Sequence, residues 1–211
     1  MADELVFYTN PMSRGRIVRW MLEEVGQPYR TELLDFGPAM KTDAFRALNR
    51  MGKVPVVVHG DQVVSEVAAI CAYLADAFPA AGLAPEPARR GAYYRWLFFA
   101  AGPIEAAITD ASLGVTVPEE RRGMVGYGTL DNVLDALEAA LDGRAFIAGD
   151  RFSAADVYVG AHVSWGLRFR TIPPRRAFTD YAERLESRPA AVRAREIDDA
   201  LMPKQPEEAG A

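Results

Sequence analysis

The hydrophobic period of this chain changes once, near residue 80, and that change restricts it to folds that join a small sheet to a set of helices. Leu5-Val6-Phe7-Tyr8 is short and apolar and runs into Thr9-Asn10-Pro11, a buried strand followed by a turn. From Ser13 onward Ile17, Trp20, Met21, Leu22 and Val25 recur at helical spacing, and Gly26 just beyond them suits a left-handed C-terminal cap. Tyr29 to Leu34 alternates as a second strand, and Pro38 to Leu48 supplies a short helix with Met40, Ala44, Phe45 and Leu48 on one side. Val54 to Val58, a Gly60-Asp61 turn and Gln62-Val63-Val64 form a hairpin signal, and Glu66 to Phe78 returns to helical spacing before Pro79. The order is βαβαββα.

Ala80 to Pro87 holds a glycine and two prolines and reads as a connector. Beyond it only helical patterns occur: Ala88 to Asp110, Glu119 to Leu141 with Gly143 after it, Ala154 to Leu167, Ala177 to Ser187, and Ala190 to Ala200. The organisation expected is an α/β segment over residues 1–79, a connector over 80–87 and an all-α bundle over 88–211, whose tail from Pro203 to Ala211 is polar and loose.

Charge and cysteine content remove several functions. Lys plus Arg total 24 against 29 Asp plus Glu, a net charge of −5 that argues against nucleic acid as a partner. No apolar run reaches the roughly 20 residues that span a bilayer, and Met-Ala-Asp-Glu places acids where a signal peptide carries bases, so a cytoplasmic protein without membrane partners is expected. Cys71 is the single cysteine, which excludes an intrachain disulfide, a CxxC pair and a thiolate zinc site. It falls on the apolar side of a helix and reads as buried. His59 and His162 have no neighbouring ligand pattern, and no metal is expected.

The segment Tyr8-Thr9-Asn10-Pro11-Met12-Ser13-Arg14-Gly15-Arg16 joins the end of a strand to the start of a helix, where ligands of α/β folds collect. Ser13 stands where a helix N-cap belongs, and that structural role competes with a functional one. Arg14 and Arg16 put two cations where the helix dipole is already positive, an arrangement that makes sense if an anion sits there.

Tyr8…Asn10-Pro11-x-Ser13-Arg14, Gly52-Lys53-Val54-Pro55, Glu66-Val67-Ala68-Ala69-Ile70-x-x-Tyr73-Leu74 and Phe152-Ser153-Ala154-Ala155-Asp156, in this order, resemble the glutathione transferase family over nearly the whole chain, and the first of them its bacterial serine-type members. The resemblance implies a thioredoxin-like N-terminal domain, an all-helical C-terminal domain, reduced glutathione as co-substrate, a homodimer, and a detoxifying conjugation of glutathione to a small hydrophobic electrophile. It also implies that the bond before Pro55 is cis and that Val54 pairs with the tripeptide as an added strand. By the same resemblance Asn10, Pro11, Arg14, Lys53, Val54, Pro55, Glu66 and Val67 surround glutathione. Val67 stands where many relatives have serine, which removes one side-chain hydrogen bond to the γ-glutamyl group; Ser65 is a possible substitute or a helix cap. Arg50 stands where relatives have proline, a change that loosens the loop to Val54.

Two hydroxyls compete to hold the glutathione sulfur as thiolate: Ser13, as in serine-type relatives, and Tyr8, as in tyrosine-type ones. Ser13 is favoured because it opens the helix whose dipole assists; Tyr8 reads alternatively as a packed strand aromatic. Met12, Phe36, Phe98, Phe99, Trp165 and Phe169 are the aromatic and thioether candidates for the electrophile pocket between the domains, with Met12, Phe36, Phe99 and Trp165 foremost. Phe152-Ser153-x-x-Asp156-Val157 reads as a capping box with Phe152 stapled to Val157, a folding element without catalytic role. Two other readings remain open: a non-catalytic binding protein of the same fold, and another glutathione chemistry such as peroxide reduction, isomerisation or dehalogenation.

Overall fold

The computed structural model describes residues 4–203; of the tail expected to be loose, only Pro203 lies within it, and residues 204–211 lie outside. Four strands, β1 (Leu5–Thr9), β2 (Arg30–Leu33), β3 (Val56–His59) and β4 (Gln62–Ser65), form one sheet in the order β2-β1-β3-β4. β1 runs parallel to β2 and antiparallel to β3, and β3 pairs antiparallel with β4. The parallel pair needs a crossover, supplied by helix α1 (Gly15–Val25); the antiparallel pair needs only the Gly60-Asp61 turn between His59 and Gln62. Gly26 caps α1 at φ 70°, as its lack of a Cβ permits. With α2 (Asp43–Leu48) and α3 (Val67–Ala77) this is the βαβαββα order read from the sequence.

The two sheet faces bury different sets of residues, as alternation along a strand requires. Leu5, Phe7 and Val57 face α1 and α3 in the main core, whereas Tyr8 and Val56 join Met40 and Phe45 in a smaller cluster under α2. Pro38 to Leu48 is not one helix. A 3-10 turn over Pro38–Lys41 ends at Thr42, whose side chain accepts from the Phe45 N–H and starts α2 afresh.

Beyond residue 90 the described chain is helical: α4 (Gly91–Phe99), α5 (Glu105–Ser112), α6 (Leu130–Leu141), α7 (Ala154–Phe169), α8 (Arg176–Glu186) and α9 (Pro189–Ala200). Two helices expected to be continuous are broken. A π-helical turn over Ala100–Ile104, containing Pro103, separates α4 from α5, because proline lacks the N–H that an α-helical ladder needs there. Glu119–Met124 is a 3-10 segment cut off from α6 by Gly126 and Gly128, and Thr129 caps α6. The expected connector is docked, since Leu83 is buried and its carbonyl accepts from the Ala154 N–H at 2.8 Å.

α7 is the central helix, buried along most of its length. Asp156, fully buried in its first turn, accepts from Ser153 N–H (2.9 Å), Ser153 Oγ (3.0 Å), Ile147 N–H (2.8 Å) and Tyr181 Oη (2.9 Å). Burial pushes its carboxyl above the usual range, against these hydrogen bonds, which pull it down. Phe152 packs its ring with Trp20 and Phe146 and lies under the Arg188 guanidinium. Because Ser153 contributes only part of this set, Ser153→Ala is expected to cost about 1 kcal/mol of stability, read as a lowered denaturation midpoint with unchanged turnover. An unmoved midpoint would contradict this account of the helix start.

α1 packs on α3, α7 and α9, so one continuous core joins the sheet-bearing and helical parts. Arg19, fully buried in α1, donates from Nε to Asp198 of α9 (3.1 Å) and from Nη1 to Tyr29 and Thr31 (3.1 and 2.9 Å). Burial raises the Asp198 carboxyl while Arg19 opposes that shift. Fold and element order are those of a thioredoxin-like domain followed by an all-helical one.

Candidate active site

The sheet register gathers the segments singled out in the sequence. Tyr8 lies opposite Val56, and Val56 opposite Ser65. The loop after β1, the residues before β3 and the residues after β4 therefore leave one edge of the sheet. Spacing of about 4.8 Å per strand puts the two outer ones roughly 10 Å apart. Pro11 to Arg14, Val54-Pro55 and Glu66-Val67 thus line one rim. The Val54-Pro55 bond is cis, as the resemblance implied.

The loop from β1 is fixed by its own polar groups. Asn10 is buried, donating from Nδ2 to the Leu34 carbonyl (2.9 Å) and accepting at Oδ1 from the Met12 N–H (2.9 Å). Ser13 is half-buried; its Oγ donates to the Asn10 carbonyl (2.7 Å) and accepts from the Gly15 N–H (2.9 Å). It satisfies one of the free N–H groups at the head of α1 from one residue further out than an N-cap position. Position 15 admits only glycine, because a Cβ there would collide with the buried Thr9 Oγ1 and come within 2.9 Å of Ser13 Oγ.

The two cations at this helix start have protein partners. Arg14 pairs with Glu105, and Arg16 donates to Asp199 at 2.7 Å and to the Pro11 carbonyl at 2.5 Å. The anion expected beside them is thus supplied, in this structure, by carboxylates of α5 and α9. Glu105 is also 3.0 Å from His162 Nε2, and His162 Nδ1 is 2.9 Å from the Tyr158 carbonyl oxygen. A carbonyl oxygen only accepts, so Nδ1 is the donor to Tyr158, and Nε2 faces the Glu105 carboxylate. The His162 contact, opposed by burial and aided by Arg14, holds the Glu105 carboxyl below the usual range. Sequence reading missed this network, because nothing in the spacing of positions 14, 105 and 162 relates them. The one local signal is Pro103, whose π-helical turn directly precedes Glu105.

Tyr8 points elsewhere. Its ring centroid lies 5.9 Å from that of Phe45, in the cluster under α2, which is the packed-aromatic arrangement. On the second segment Asn49 donates to the Lys53 carbonyl (2.8 Å) and accepts from the Met51 N–H (3.0 Å). It closes the loop that Arg50 was expected to loosen. Lys53 itself is exposed. Glu66 occupies the N-cap position of α3 at φ 67°, uncommon for a residue with a Cβ, without a side-chain capping bond, and Val67 opens the helix with its side chain buried. Ser65 does not cap α3; it ends β4, and its hydroxyl is 3.4 Å from the Glu66 carboxylate.

A cleft of about 490 Å³ opens beside Ser13 between α1, α7 and α9. Met12 and Trp165 line it, as does Phe169; Phe36, Phe98 and Phe99 do not. Phe36 and Phe98 are exposed, while Phe99 packs edge-on against Trp96. The sequence pattern did not mark Trp20, Ile17 and the stretch of α9 from Ala191 to Asp199 as cleft walls, because burial on α1 looks the same whether a core or a cavity lies beyond. Cys71 is fully buried, its thiol pushed up to about 12 by that burial, so it is no nucleophile. No described helix is long and apolar enough to cross a membrane, and the described residues hold no metal-binding group of three or more His, Cys, Asp or Glu.

Comparison with known proteins agrees with this architecture. Models of the glutathione S-transferase N-terminal and C-terminal domains match residues 12–77 and 59–194. Glutathione S-transferase 3 of Zea mays is 30% identical over 163 residues, covering 72% of this chain and 73% of the maize protein. Among solved structures, a glutathione transferase from Methylococcus capsulatus has a TM-score of 0.75 at 26% identity, covering 93% of this chain and 99% of its own. A sphingomonad glutathione S-transferase complexed with glutathione has a TM-score of 0.71 at 26% identity, over 92% of this chain and 98% of that one.

Proposed function

We propose, from the premise that this chain belongs to the glutathione S-transferase family and is a transferase, that it binds reduced glutathione along the rim from Ser13 to Val67 and joins its sulfur to an apolar electrophile in the adjoining cleft. In this reading residues 1–79 form the glutathione-binding domain, 80–87 the linker and 88–211 the helical domain; the active form is a cytoplasmic homodimer serving detoxification. Val54 pairs with the tripeptide backbone. Val67 presents its N–H to the γ-glutamyl carboxylate, as the first residue of an 11-residue helix is able to do. Asn10 and Pro11 shape the loop, Lys53 supplies a cation beside the tripeptide, and Arg14 reaches it by exchanging its Glu105 partner for a carboxylate of glutathione.

The carrying observation is Ser13, among the described residues the one whose hydroxyl both touches the first N–H of α1 and borders the cleft. A thiol of ordinary pKa, about 8.5, is only a few per cent ionised near neutrality. Lowering that pKa by two units takes about 2.7 kcal/mol of preference for the thiolate. A hydroxyl donating to a charged acceptor supplies roughly 1.5–3 kcal/mol, and a helix N-terminus about 0.3–1 kcal/mol more. The Ser13 proton, spent on the Asn10 carbonyl, reaches sulfur by rotation about the Cβ–Oγ bond while Gly15 N–H keeps the oxygen in place. The thiol proton leaves to solvent, the thiolate attacks the electrophilic carbon, and either a leaving group departs with its electron pair or a conjugated double bond takes a proton at its far end.

Because the Tyr8 ring packs against Phe45, Tyr8→Phe is expected to leave turnover close to wild type in a steady-state assay with 1-chloro-2,4-dinitrobenzene. Abolished turnover in Tyr8→Phe, with Ser13→Ala unaffected, would transfer the role to Tyr8.

A further inference from the structure

Thr9 carries a hydroxyl that the fold leaves unused. It ends β1 on the face shared by Leu5 and Phe7, turned toward α1, and is fully buried. Its Oγ1 has no hydrogen-bond partner among the described residues. Burying an unpaired hydroxyl is unfavourable, and valine would fill nearly the same volume without that cost, so packing alone does not account for threonine here. Of the other buried polar atoms in this condition, Arg19 Nη2 and Asp198 Oδ2 belong to a pair that is already joined, and Tyr93 Oη belongs to α4, outside the cleft lining.

A Cβ on Gly15 would stand 1.9 Å from Thr9 Oγ1 and 2.9 Å from Ser13 Oγ, so the two oxygens are no further apart than those distances laid end to end. The side chain that Gly15 lacks keeps the space between them open. Ser13 Oγ is short of one donor: its proton goes to the Asn10 carbonyl and one lone pair takes the Gly15 N–H, which leaves a second lone pair free. When the Ser13 proton turns to sulfur, the Asn10 carbonyl still accepts from the Ser13 N–H at 3.0 Å, so the turn strands no acceptor. We propose that Thr9 is a positioning residue for the conjugation: its hydroxyl donates to Ser13 Oγ once the Ser13 hydroxyl has turned to the glutathione sulfur. Closing the gap takes a shift smaller than the length of one hydrogen bond. With two donors on its oxygen, the Ser13 hydroxyl is polarised and becomes the stronger donor to a thiolate. This rests on the reading of Ser13 as the group that holds the sulfur.

The test follows the thiolate absorbance of bound glutathione against pH, and the denaturation midpoint of the free protein, in Thr9→Val, Thr9→Ser and Ser13→Ala. Thr9→Val keeps the shape and removes the hydroxyl. The bound thiol is then expected to titrate about half a pH unit higher and kcat, at pH values below the titration, to fall about threefold with KM for glutathione unchanged, while the midpoint stays or rises. Thr9→Ser keeps the hydroxyl and loses a buried methyl, so the midpoint falls and the titration remains that of wild type. A residue that merely packs cannot produce this crossed pattern. A Thr9→Val titration equal to wild type, or a Thr9→Ser shift as large as that of Thr9→Val, overturns the proposal. Ser13→Ala separates the two readings: if it raises the titration and Thr9→Val does not, only the role of Thr9 falls, whereas an unmoved Ser13→Ala titration, or a wild type without bound thiolate, overturns both.

Discussion

Ser13→Ala is expected to lower kcat/KM for conjugation about ten- to hundredfold, the factor that corresponds to losing a hydroxyl hydrogen bond to a charged acceptor. The loss should fall on the chemical step. The bound thiol then titrates nearer its ordinary value of about 8.5, and the activity of the variant recovers as pH rises toward that value. The substitution also removes the acceptor of the Gly15 N–H, so a stability cost of about 1 kcal/mol accompanies it. Thiolate absorbance of bound glutathione across pH separates the two effects, because a merely loosened helix start lowers the midpoint of unfolding without moving the thiol titration. A Ser13→Ala enzyme with wild-type kcat/KM and an unmoved titration would end the serine assignment.

The largest loss of stability is expected from Asp156→Ala, about 3–5 kcal/mol, because each buried donor left unpaired costs about 1–3 kcal/mol, enough to remove much of the marginal stability of a typical domain. The alanine removes the acceptor of four buried donors at once: two N–H groups, the Ser153 hydroxyl and the Tyr181 hydroxyl. These contacts tie the head of α7 to the residue 147 loop and to α8, so the damage spreads beyond one helix turn. Asp156→Asn keeps the shape and two lone pairs but turns half of the group into a donor, and its cost should be smaller yet still exceed that of Ser153→Ala. Denaturant midpoints of the three variants check the order. If Asp156→Ala is no worse than Ser153→Ala, the carboxylate is not the centre of this junction.

What the chain revealed in its sequence, and what it hid, follow from the range of the interactions. The strand and helix order was legible because local periodicity encodes it, and Gly26 marked a helix end through its own backbone freedom. The boundaries inside 88–110 and 119–141 were not, since Pro103 and Gly126-x-Gly128 sit within otherwise continuous helical patterns and the surrounding packing decides whether such residues break a helix. Ser13 was legible as a residue at a helix start; that its proton rests on the Asn10 carbonyl was not. The partners of Arg14 and Arg16 lie 91 and 183 residues away, and only the folded chain reveals that the charges suggesting a bound anion are met by Glu105 and Asp199. Of the residues named for an electrophile pocket, Met12 and Trp165 line the cleft and Phe36 and Phe99 lie away from it, because their positions depend on the same long-range packing.

The central claim is that this protein converts bound glutathione to its thiolate, and a calorimetric titration with reduced glutathione near neutral pH tests it most directly. Run in two buffers of different ionisation enthalpy, the titration counts the protons released per molecule bound. The account predicts saturable binding with release of most of one proton. Binding without proton release, or no binding at millimolar glutathione, would contradict it.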